Sequence, residues 1–272
     1  DIYDLLDQIL DRNLSQLIFS GDITDLSMTE NSQPAIMATS IAIFQAIISE
    51  NLLKKNSLAC VAGHSLGEYS ALVANKSLKF IDSLKLLKVR AKAMQESMPV
   101  GTGGMVALIG CEIKDIEKII SDTGNYGRIY IANDNAAGQV VLSGEIKAIE
   151  YIISNYKKLE IKRAIKLPVS APFHCELMKD ASKIINNEIP KYNFMTFKMP
   201  LYSNVTAETC NETDIGDLLV KQIVSKVRWR EIIENMIRDG IKNFIEIGPG
   251  NVLTNLIRRI SKNVNTISIS NI

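Results

Sequence analysis

The feature that most constrains the fold is the stretch from Gly63 to Gly67, which reads GHSLG. An apolar run from Leu58 to Ala62 precedes it, and a helix-like stretch from Glu68 to Ala74 follows it. This order is typical of a nucleophile elbow, a sharp turn between a strand and a helix that exposes a serine hydroxyl, with glycines relieving the crowding. The pattern therefore predicts acyl transfer through Ser65 on an α/β scaffold.

Two features of this turn favour a reaction at Ser65. The backbone N–H of Leu66 would face an oxyanion that develops at the attacked carbonyl, and the positive end of the following helix would add to its stabilisation. An ordinary glycine-rich turn would match the same short pattern. The functional interpretation therefore needs a base within reach of the serine.

The base of such a serine is usually a histidine, and this chain has two. His64 is adjacent to Ser65, where a sharp turn sends consecutive side chains in different directions, so we do not expect it to reach the hydroxyl. His174 ends an extended, proline-punctuated segment that begins at Leu167 and can deliver it to the site. We predict that His174 is the base; the alternative is a hydrogen-bonded loop or core histidine.

An arginine lies on the apolar side of the next predicted helix, from Asp82 to about Ser97. Lys85, Lys88 and Lys92 recur at helical spacing as a solvated stripe, and Arg90 falls on the opposite side. A guanidinium there needs an anion, either a structural carboxylate or a substrate carboxylate. Helical periodicity does not choose between the two.

The composition argues against several classes of function. A formal net charge of +1 over 272 residues argues against nucleic acid as the main partner. We find no apolar run long enough for a membrane span, and the acidic start from Asp1 to Asp7 does not resemble a signal peptide. The four cysteines are widely spaced, which indicates reduced thiols and no metal site. We expect a monomer in the cytoplasm, or in an organelle stroma in a eukaryote.

The order of predicted elements indicates a large domain interrupted by a smaller one. An apolar helix from Pro34 to about Leu53, the turn at Ser65 and two further helices are α/β elements, and the glycines at 101, 103 and 104 mark a break. Beyond it we predict the ferredoxin-like order strand, helix, strand, strand, helix, strand: Met105 to Ile109, Ile113 to Ser121, Arg128 to Ala132, Gln139 to Ser143, Ile146 to Tyr156 and Arg163 to Val169.

The remaining residues return to the large domain. The predicted helices and strands there are Glu176 to Glu188 (helix), Leu201 to Asn204 (strand), Gly216 to Val224 (helix), Trp229 to Asp239 (helix), Asn243 to Ile247 (strand) and Val252 to Ile260 (helix). We therefore predict a large α/β domain of residues 1–101 and 171–272, a ferredoxin-like subdomain of residues 102–170, and an active site in the cleft between them.

Several separate motifs resemble the malonyl-CoA:acyl carrier protein transacylases of fatty acid synthesis and the related acyltransferase domains of polyketide synthases. The matching stretches, in the family's order, are Thr29 to Ala35, Gly63 to Ala71, Val89 to Gln95, Asn135 to Gly144, Ser170 to Met178, Tyr202 to Ala207 and Glu246 to Leu253. The resemblance covers most of the chain. It implies an α/β-hydrolase-like core with a parallel sheet and an inserted ferredoxin-like (βαββαβ) subdomain.

The resemblance also implies roles for individual residues. Ser65 is the nucleophile, His174 is the base, and a backbone carbonyl from Gln222 orients the histidine. From the sequence alone, Gln222 would be an exposed helix residue. Arg90 matches the arginine that binds the free carboxylate of the malonyl group.

The implied substrate-binding set contains Arg90 together with Leu66, His64 and Phe173. Phe173 resembles the residue of malonyl-selective members, in which a bulky ring crowds an α-methyl branch. The implied reaction is ping-pong transfer of malonyl from malonyl-CoA to the phosphopantetheine thiol of acyl carrier protein. It needs no metal or other cofactor, because malonyl-CoA is a substrate and the phosphopantetheine belongs to the carrier.

The sequence starts at Asp1 and does not include the N-terminal loop that is typical of the family. Members of the family begin with a strand and a Gly-Gln-Gly-Ser-Gln loop, whose first glutamine supplies the second oxyanion-hole N–H. We expect that the natural chain carries this loop upstream of Asp1, because the residues from Asp1 onward match the helical region that follows it. A catalytically weak or scaffolding member is the alternative. A serine thioesterase or esterase that uses the same Ser65 and His174 is a further alternative.

Overall fold

The computed structural model describes residues 1–53, 57–169 and 171–271. It has a mixed α/β fold, as the sequence predicts. Ser170, which lies in the predicted segment leading to His174 and at the predicted domain boundary, falls outside the described residues.

The first hundred residues are mainly helical. The helices are α1 (Ile2–Leu10), α2 (Leu14–Ser20), α3 (Ile23–Leu26), α4 (Thr29–Ser49), α5 (Gly67–Ala74) and α6 (Phe80–Glu96). Helix α4 begins at Thr29, earlier than the predicted start at Pro34. Pro34 has no N–H for the carbonyl of Glu30, four residues earlier. That carbonyl instead accepts a hydrogen bond from Arg12 Nη2 at 2.7 Å, which helps the helix to pass through the proline.

Helix α4 corrects the prediction that no segment is long and apolar enough to span a membrane. Among the described residues it alone meets that test of length and composition, with a mean hydropathy of 1.3 over its most apolar window. Its buried side chains, which include Met37 and Ala38, pack in one apolar cluster with residues of α1, α5, α6, α9 (Lys179–Glu188) and α10 (Ile215–Gln222). In this structure, α4 is a helix of the protein core.

Residues 103–166 form a unit with its own sheet. Its elements are β1 (Gly103–Ile109), α7 (Ile116–Thr123), β2 (Ile129–Ala136), β3 (Gln139–Glu145), α8 (Ile146–Asn155) and β4 (Arg163–Lys166). The sheet order is β2-β3-β1-β4 and the pairings are antiparallel. A separate apolar cluster, which includes Val106, Leu142 and Ile149, joins the sheet to α7 and α8.

Strand β4 ends at Lys166, earlier than the predicted Val169. Leu167 N still donates to Met105 O at 3.0 Å. The next residue, Pro168, has no N–H to donate, so the ladder stops there. Beyond this point the chain leaves the sheet and continues to His174.

The last hundred residues alternate between helices and short strands. Besides α9 and α10, they form β5 (Leu201–Tyr202), β6 (Thr209–Cys210), α11 (Trp229–Arg238), β7 (Asn243–Ile247), α12 (Val252–Ile260) and β8 (Asn265–Ile269). Strand β8 was not predicted. It pairs in parallel with β7, whereas β5 and β6 are antiparallel.

The predicted strand from Leu58 to Ala62 is reduced to one parallel bridge, between Val61 and Leu201. Val61 N donates to Pro200 O at 2.9 Å and Tyr202 N donates to Val61 O at 3.1 Å. The described residues thus contain parallel pairing at this bridge, at a second bridge between Asn133 and Val227, and between β7 and β8, rather than a continuous parallel sheet.

The sheet unit is tied to the segment that leads into α11. Val227 N donates to Ala132 O at 2.8 Å, and Asp134 N donates to Val227 O at 3.0 Å. Arg230 Nη2 lies 2.8 Å from the buried carboxylate of Asp134. These contacts hold β2 and α11 together, close to residues that surround Ser65.

Candidate functional site

Ser65 lies at a turn with the backbone conformation of a nucleophile elbow. Its φ is 53°, a left-handed value that is uncommon for a residue with a side chain. Its N–H donates to Asn204 Oδ1 at 2.7 Å, and Asn204 Nδ2 donates to Gly63 O at 2.7 Å. Asn204 is buried, so these two bonds brace both sides of the strained residue.

The two glycines of the motif differ in their steric roles. A Cβ on Gly63 would lie 1.9 Å from Gly67 O, so the turn requires glycine there. A Cβ on Gly67 would meet nothing within 4 Å. The expectation that both glycines relieve crowding is therefore wrong for Gly67.

The structure brings His174 to Ser65. Ser65 Oγ lies 2.7 Å from His174 Nε2, and His174 Nδ1 lies 3.0 Å from the carbonyl oxygen of Gln222. A carbonyl only accepts, so Nδ1 carries the proton and Nε2 is left to accept the proton of the serine hydroxyl. This is the tautomer that a general base requires.

The loop that carries His174 is held by the sheet unit. Ser143 of β3 is buried, and its Oγ donates to Phe173 O at 2.6 Å. The Phe173 ring is partly buried against a cluster that includes Met105 and Val141. His174 has a φ of 58°, so its backbone, like that of Ser65, is in the left-handed region.

The surroundings of His174 oppose its protonation. Burial and the positive charge of Arg90 lower the pKa of His174 to about 3, and they outweigh the bond to the Gln222 carbonyl, which raises the pKa. The imidazole is therefore neutral at physiological pH and able to accept a proton.

Arg90 is buried, with 1% of its surface exposed, and it reaches the same serine. Its Nη2 donates to Ser65 Oγ at 3.1 Å and to Gln222 Oε1 at 2.9 Å, and its Nη1 donates to Gln33 Oε1 at 2.6 Å. Its guanidinium carbon also lies 5.5 Å from the centre of the Tyr69 ring. No ion pair among residues 1–53, 57–169 and 171–271 involves Arg90. The sequence left a structural carboxylate and a substrate carboxylate as possible partners of Arg90. A structural carboxylate in direct contact with Arg90 is not observed among the described residues.

The side chain of Gln222 joins these groups, and it is fully buried rather than exposed. Its Nε2 donates to Ser65 O at 3.0 Å and to Glu68 Oε2 at 2.5 Å. Glu68 is also fully buried, and its Oε1 accepts from Asn204 N at 3.1 Å. Gln222 therefore contacts the candidate nucleophile, base and cation through different atoms.

His64 points away from the hydroxyl of Ser65, as expected from the sharp turn. Its Nε2 lies 2.8 Å from Asn135 Oδ1, and its ring centre lies 5.6 Å from that of Trp229. Burial lowers the pKa of His64, so this ring is also neutral. The N–H groups of Gly67 and Glu68 bond to His64 O and Ser65 O, whereas we observe no bond from Leu66 N in the described part of the chain.

Five residues of this site were not predicted as site residues: Gln33, Glu68, Asn135, Ser143 and Asn204. They all lie within the family-like stretches. The signal that could have identified them is a polar residue inside a matching stretch that the predicted fold buries.

The chain is similar to known proteins over almost its whole length. The acyl transferase domain family matches residues 4–272. A malonyl CoA-acyl carrier protein transacylase of Bacillus subtilis (strain 168) is 38% identical over 273 residues, covering 99% of this chain and 84% of that protein. The chain belongs to the malonyl CoA-acyl carrier protein transacylase family.

Solved structures of this transacylase family share the fold. An acyl-carrier-protein S-malonyltransferase from Bartonella henselae has a TM-score of 0.95 and 40% identity, with 99% of this chain and 86% of that chain covered. A malonyl-transacylase in complex with its type II PKS acyl-carrier protein has a TM-score of 0.94 and 33% identity, with 100% and 87% covered.

The steric difference between the two glycines of this transacylase-family turn can be tested by thermal unfolding. Gly63→Ala should destabilise the protein by more than about 4 kcal/mol, because a methyl group would overlap the backbone of the turn. Gly67→Ala is the matched control and should be neutral or stabilising by up to about 1 kcal/mol, because alanine favours a helix. Equal destabilisation by the two substitutions would contradict this assignment.

The protonation state of His174 can be followed by nitrogen-15 NMR of the two histidines, with His64→Gln used for assignment. His174 should keep the spectrum of the neutral, Nδ1-protonated ring down to about pH 5, well below the ordinary histidine pKa of about 6.5. Because the unfolded chain binds this proton first, the stability that His174 contributes is complete above about pH 6.5 and is lost as the pH falls toward 3. A titration midpoint near 6.5 would contradict the lowered pKa of His174.

Proposed function

We propose that this protein transfers a malonyl group from malonyl-CoA to the phosphopantetheine thiol of acyl carrier protein, by way of a malonyl ester on Ser65. The observation that carries the proposal is that one atom, Ser65 Oγ, has two functional neighbours. Ser65 Oγ contacts His174 Nε2 and Arg90 Nη2, so a nucleophile, a base and a cation for a carboxylate meet at one point. Membership of the transacylase family supports the same reaction.

In the first half-reaction, Ser65 Oγ attacks the thioester carbonyl of malonyl-CoA while His174 Nε2 takes the hydroxyl proton. The Leu66 N–H and the positive end of α5 stabilise the oxyanion of the tetrahedral intermediate. The carbon–sulfur bond then breaks. The CoA sulfur takes the proton from His174, and a malonyl-serine ester remains.

The second half-reaction follows the same path in reverse. His174 takes the proton of the carrier's phosphopantetheine thiol, whose sulfur attacks the ester carbonyl. The bond to Ser65 Oγ breaks, and the serine regains its proton from His174. The carbonyl of Gln222 holds the imidazole in the same orientation during both steps.

We propose that Arg90 binds the free carboxylate of the malonyl group. Among the described residues, the hydrogen-bond acceptors of its guanidinium are neutral. A substrate carboxylate would therefore be its first anionic partner in direct contact. Phe173, next to the base, would crowd an α-methyl branch, and a discrimination of one methyl group is typically worth about 1 to 3 kcal/mol. His64 would line the substrate side of the turn with Leu66.

We further propose that residues 1–101 and 171–272 form an α/β-hydrolase-like domain and that residues 102–170 form a ferredoxin-like subdomain. The strand order of the sheet unit and the likeness to solved structures of the family support this division. The contacts of Ser143 with Phe173 and of Asn135 with His64 join the unit to the site. The substrate would enter between the two parts.

The proposed mechanism needs no metal ion or redox cofactor, because protein side chains carry out each proton transfer and the transferred group comes from the substrate. We propose that the protein is a cytoplasmic monomer, or is located in the stroma of an organelle in a eukaryote. The near-neutral charge supports partners other than nucleic acid. The free cysteines at 60, 111, 175 and 210 suit a reducing compartment.

A serine thioesterase or esterase would use the same Ser65 and His174, with water in place of the carrier thiol. The family comparisons favour the transacylase, because the similar proteins are named as malonyl transacylases. Arg90 beside the serine also favours an acyl group that carries a second carboxylate.

Intact-mass measurement tests the proposed function. Brief exposure to malonyl-CoA should add one malonyl group to the wild-type protein and none to Ser65→Ala, and holo acyl carrier protein should then remove the group and become malonylated. Apo acyl carrier protein is the matched control and should remain unmodified. An adduct that is lost to water at the same rate without the carrier would identify a hydrolase instead.

The assignment of Arg90 predicts a difference between acyl donors. Arg90→Ala should lower kcat/KM for malonyl-CoA about 10- to 100-fold more than for acetyl-CoA, because a hydrogen bond to a charged group contributes about 1.5 to 3 kcal/mol. Acetyl-CoA is the control, because it shares Ser65 and His174 but lacks the second carboxylate. Equal losses with the two donors would rule out this role.

A further inference from the structure

The proposed mechanism gives no role to the buried carboxyl group of Glu68, whose pKa is raised to about 7 by burial. It lies in the first turn of α5, three residues after Ser65, and is completely buried. Both of its oxygens are occupied by N–H donors, since Oε1 accepts from Asn204 N at 3.1 Å and Oε2 accepts from Gln222 Nε2 at 2.5 Å. A buried carboxylate is costly, which suggests that it has a specific purpose.

The carboxylate determines which way the amide of Gln222 faces. At pH 8, above its pKa of about 7, the Glu68 carboxyl is mainly ionised. An ionised carboxylate can only accept hydrogen bonds, so the amide nitrogen of Gln222 points toward it. The amide oxygen is then directed to the other side, where it accepts from Arg90 Nη2 at 2.9 Å. The carboxylate and the guanidinium are thus joined through one neutral amide.

This arrangement places a negative charge near Arg90 without a direct contact between the carboxylate and the guanidinium. Burial lowers the pKa of Arg90, and the negative charge of Glu68 opposes this effect. The direct partners of Arg90 are the neutral oxygens of Gln33, Ser65 and Gln222. A carboxylate in direct contact would neutralise the guanidinium and would compete with a substrate carboxylate for the Nη2 atom beside Ser65.

We infer that Glu68 is a positioning residue for malonyl recognition: through the amide of Gln222 it holds Arg90 beside Ser65 and keeps it free of a direct ion pair. This inference rests on the proposed function, because it concerns the carboxylate of a malonyl donor. A merely structural Glu68 would stabilise the turn equally for all acyl donors. The selectivity between donors therefore distinguishes the two roles.

The test exchanges the carboxylate of Glu68 and the amide of Gln222. In the double variant Glu68→Gln with Gln222→Glu, the contact between a carboxylate and an amide is kept, but the negative charge moves next to Arg90 and the bond from Gln222 Nε2 to Ser65 O is lost. The single variant Glu68→Gln is the matched control, because there two amide groups face each other and one donor is left without an acceptor. The single variant Gln222→Glu loses the same bond to Ser65 O as the exchange and is therefore a second control. The measurements, at pH 8, are the melting temperature and the single-turnover acylation of Ser65 by malonyl-CoA and acetyl-CoA, followed by intact mass.

We expect Glu68→Gln to lower the melting temperature and the acylation rates with both donors. The exchange should have a higher melting temperature and a faster acetyl rate than Gln222→Glu alone, because its amide at position 68 faces the new carboxylate. The ratio of the malonyl to the acetyl rate should still fall about tenfold or more below that of the wild type. An unchanged ratio would overturn the inference. An exchange no more stable than Gln222→Glu alone would overturn it as well, because the two variants lose the same bond to Ser65 O and differ only in the contact between residues 68 and 222.

A second variant tests the same principle without altering Glu68. Gln33→Glu places a carboxylate directly on Arg90 Nη1, where Gln33 Oε1 now lies at 2.6 Å. The buried ion pair would be compensated, so the variant should fold, and the malonyl-to-acetyl ratio should again fall about tenfold. A ratio equal to that of the wild type would overturn the inference. If the wild-type protein forms no malonyl adduct, the proposed function itself fails, which is a separate result.

Discussion

The buried positive charge of Arg90 is the constraint on which the rest of this site depends. A guanidinium with 1% of its surface exposed is costly unless its donors find acceptors. This chain gives both Nη atoms uncharged oxygen acceptors and keeps Glu68 one amide away. The charge is thereby retained at the serine, where it can act on an incoming anion, at the cost of burying a second ionisable group.

His174, like Arg90, has a neutral group as its hydrogen-bond partner. Its Nδ1 donates to a backbone carbonyl of Gln222 instead of a carboxylate, so this partner brings no negative charge that would favour protonation of the imidazole. Gln222 thus serves two residues through two different groups, its backbone carbonyl for the histidine and its side-chain amide for Arg90. The position of one residue at the end of α10 therefore couples the base, the cation and the nucleophile.

The sequence predicted the local features well, because they depend on neighbours along the chain. The bounds of β7 and α12, the apolar side of α6 with Arg90 on it, and the order of elements in the sheet unit all follow from short-range periodicity. The failures involve partners that are distant in sequence. The run at 58–62 forms one bridge rather than a strand, and β8 exists because β7 pairs with it.

What the sequence by itself determined was the set of chemical groups: a serine on a strained turn, one histidine able to reach it, and an arginine on the apolar side of a helix. Tertiary structure alone decided how they meet, because residues 65, 90, 174 and 222 come together only when the helices and the sheet unit are packed. It also decided that Gln222 and Glu68 are buried, since burial depends on packing against distant elements and not on the local pattern.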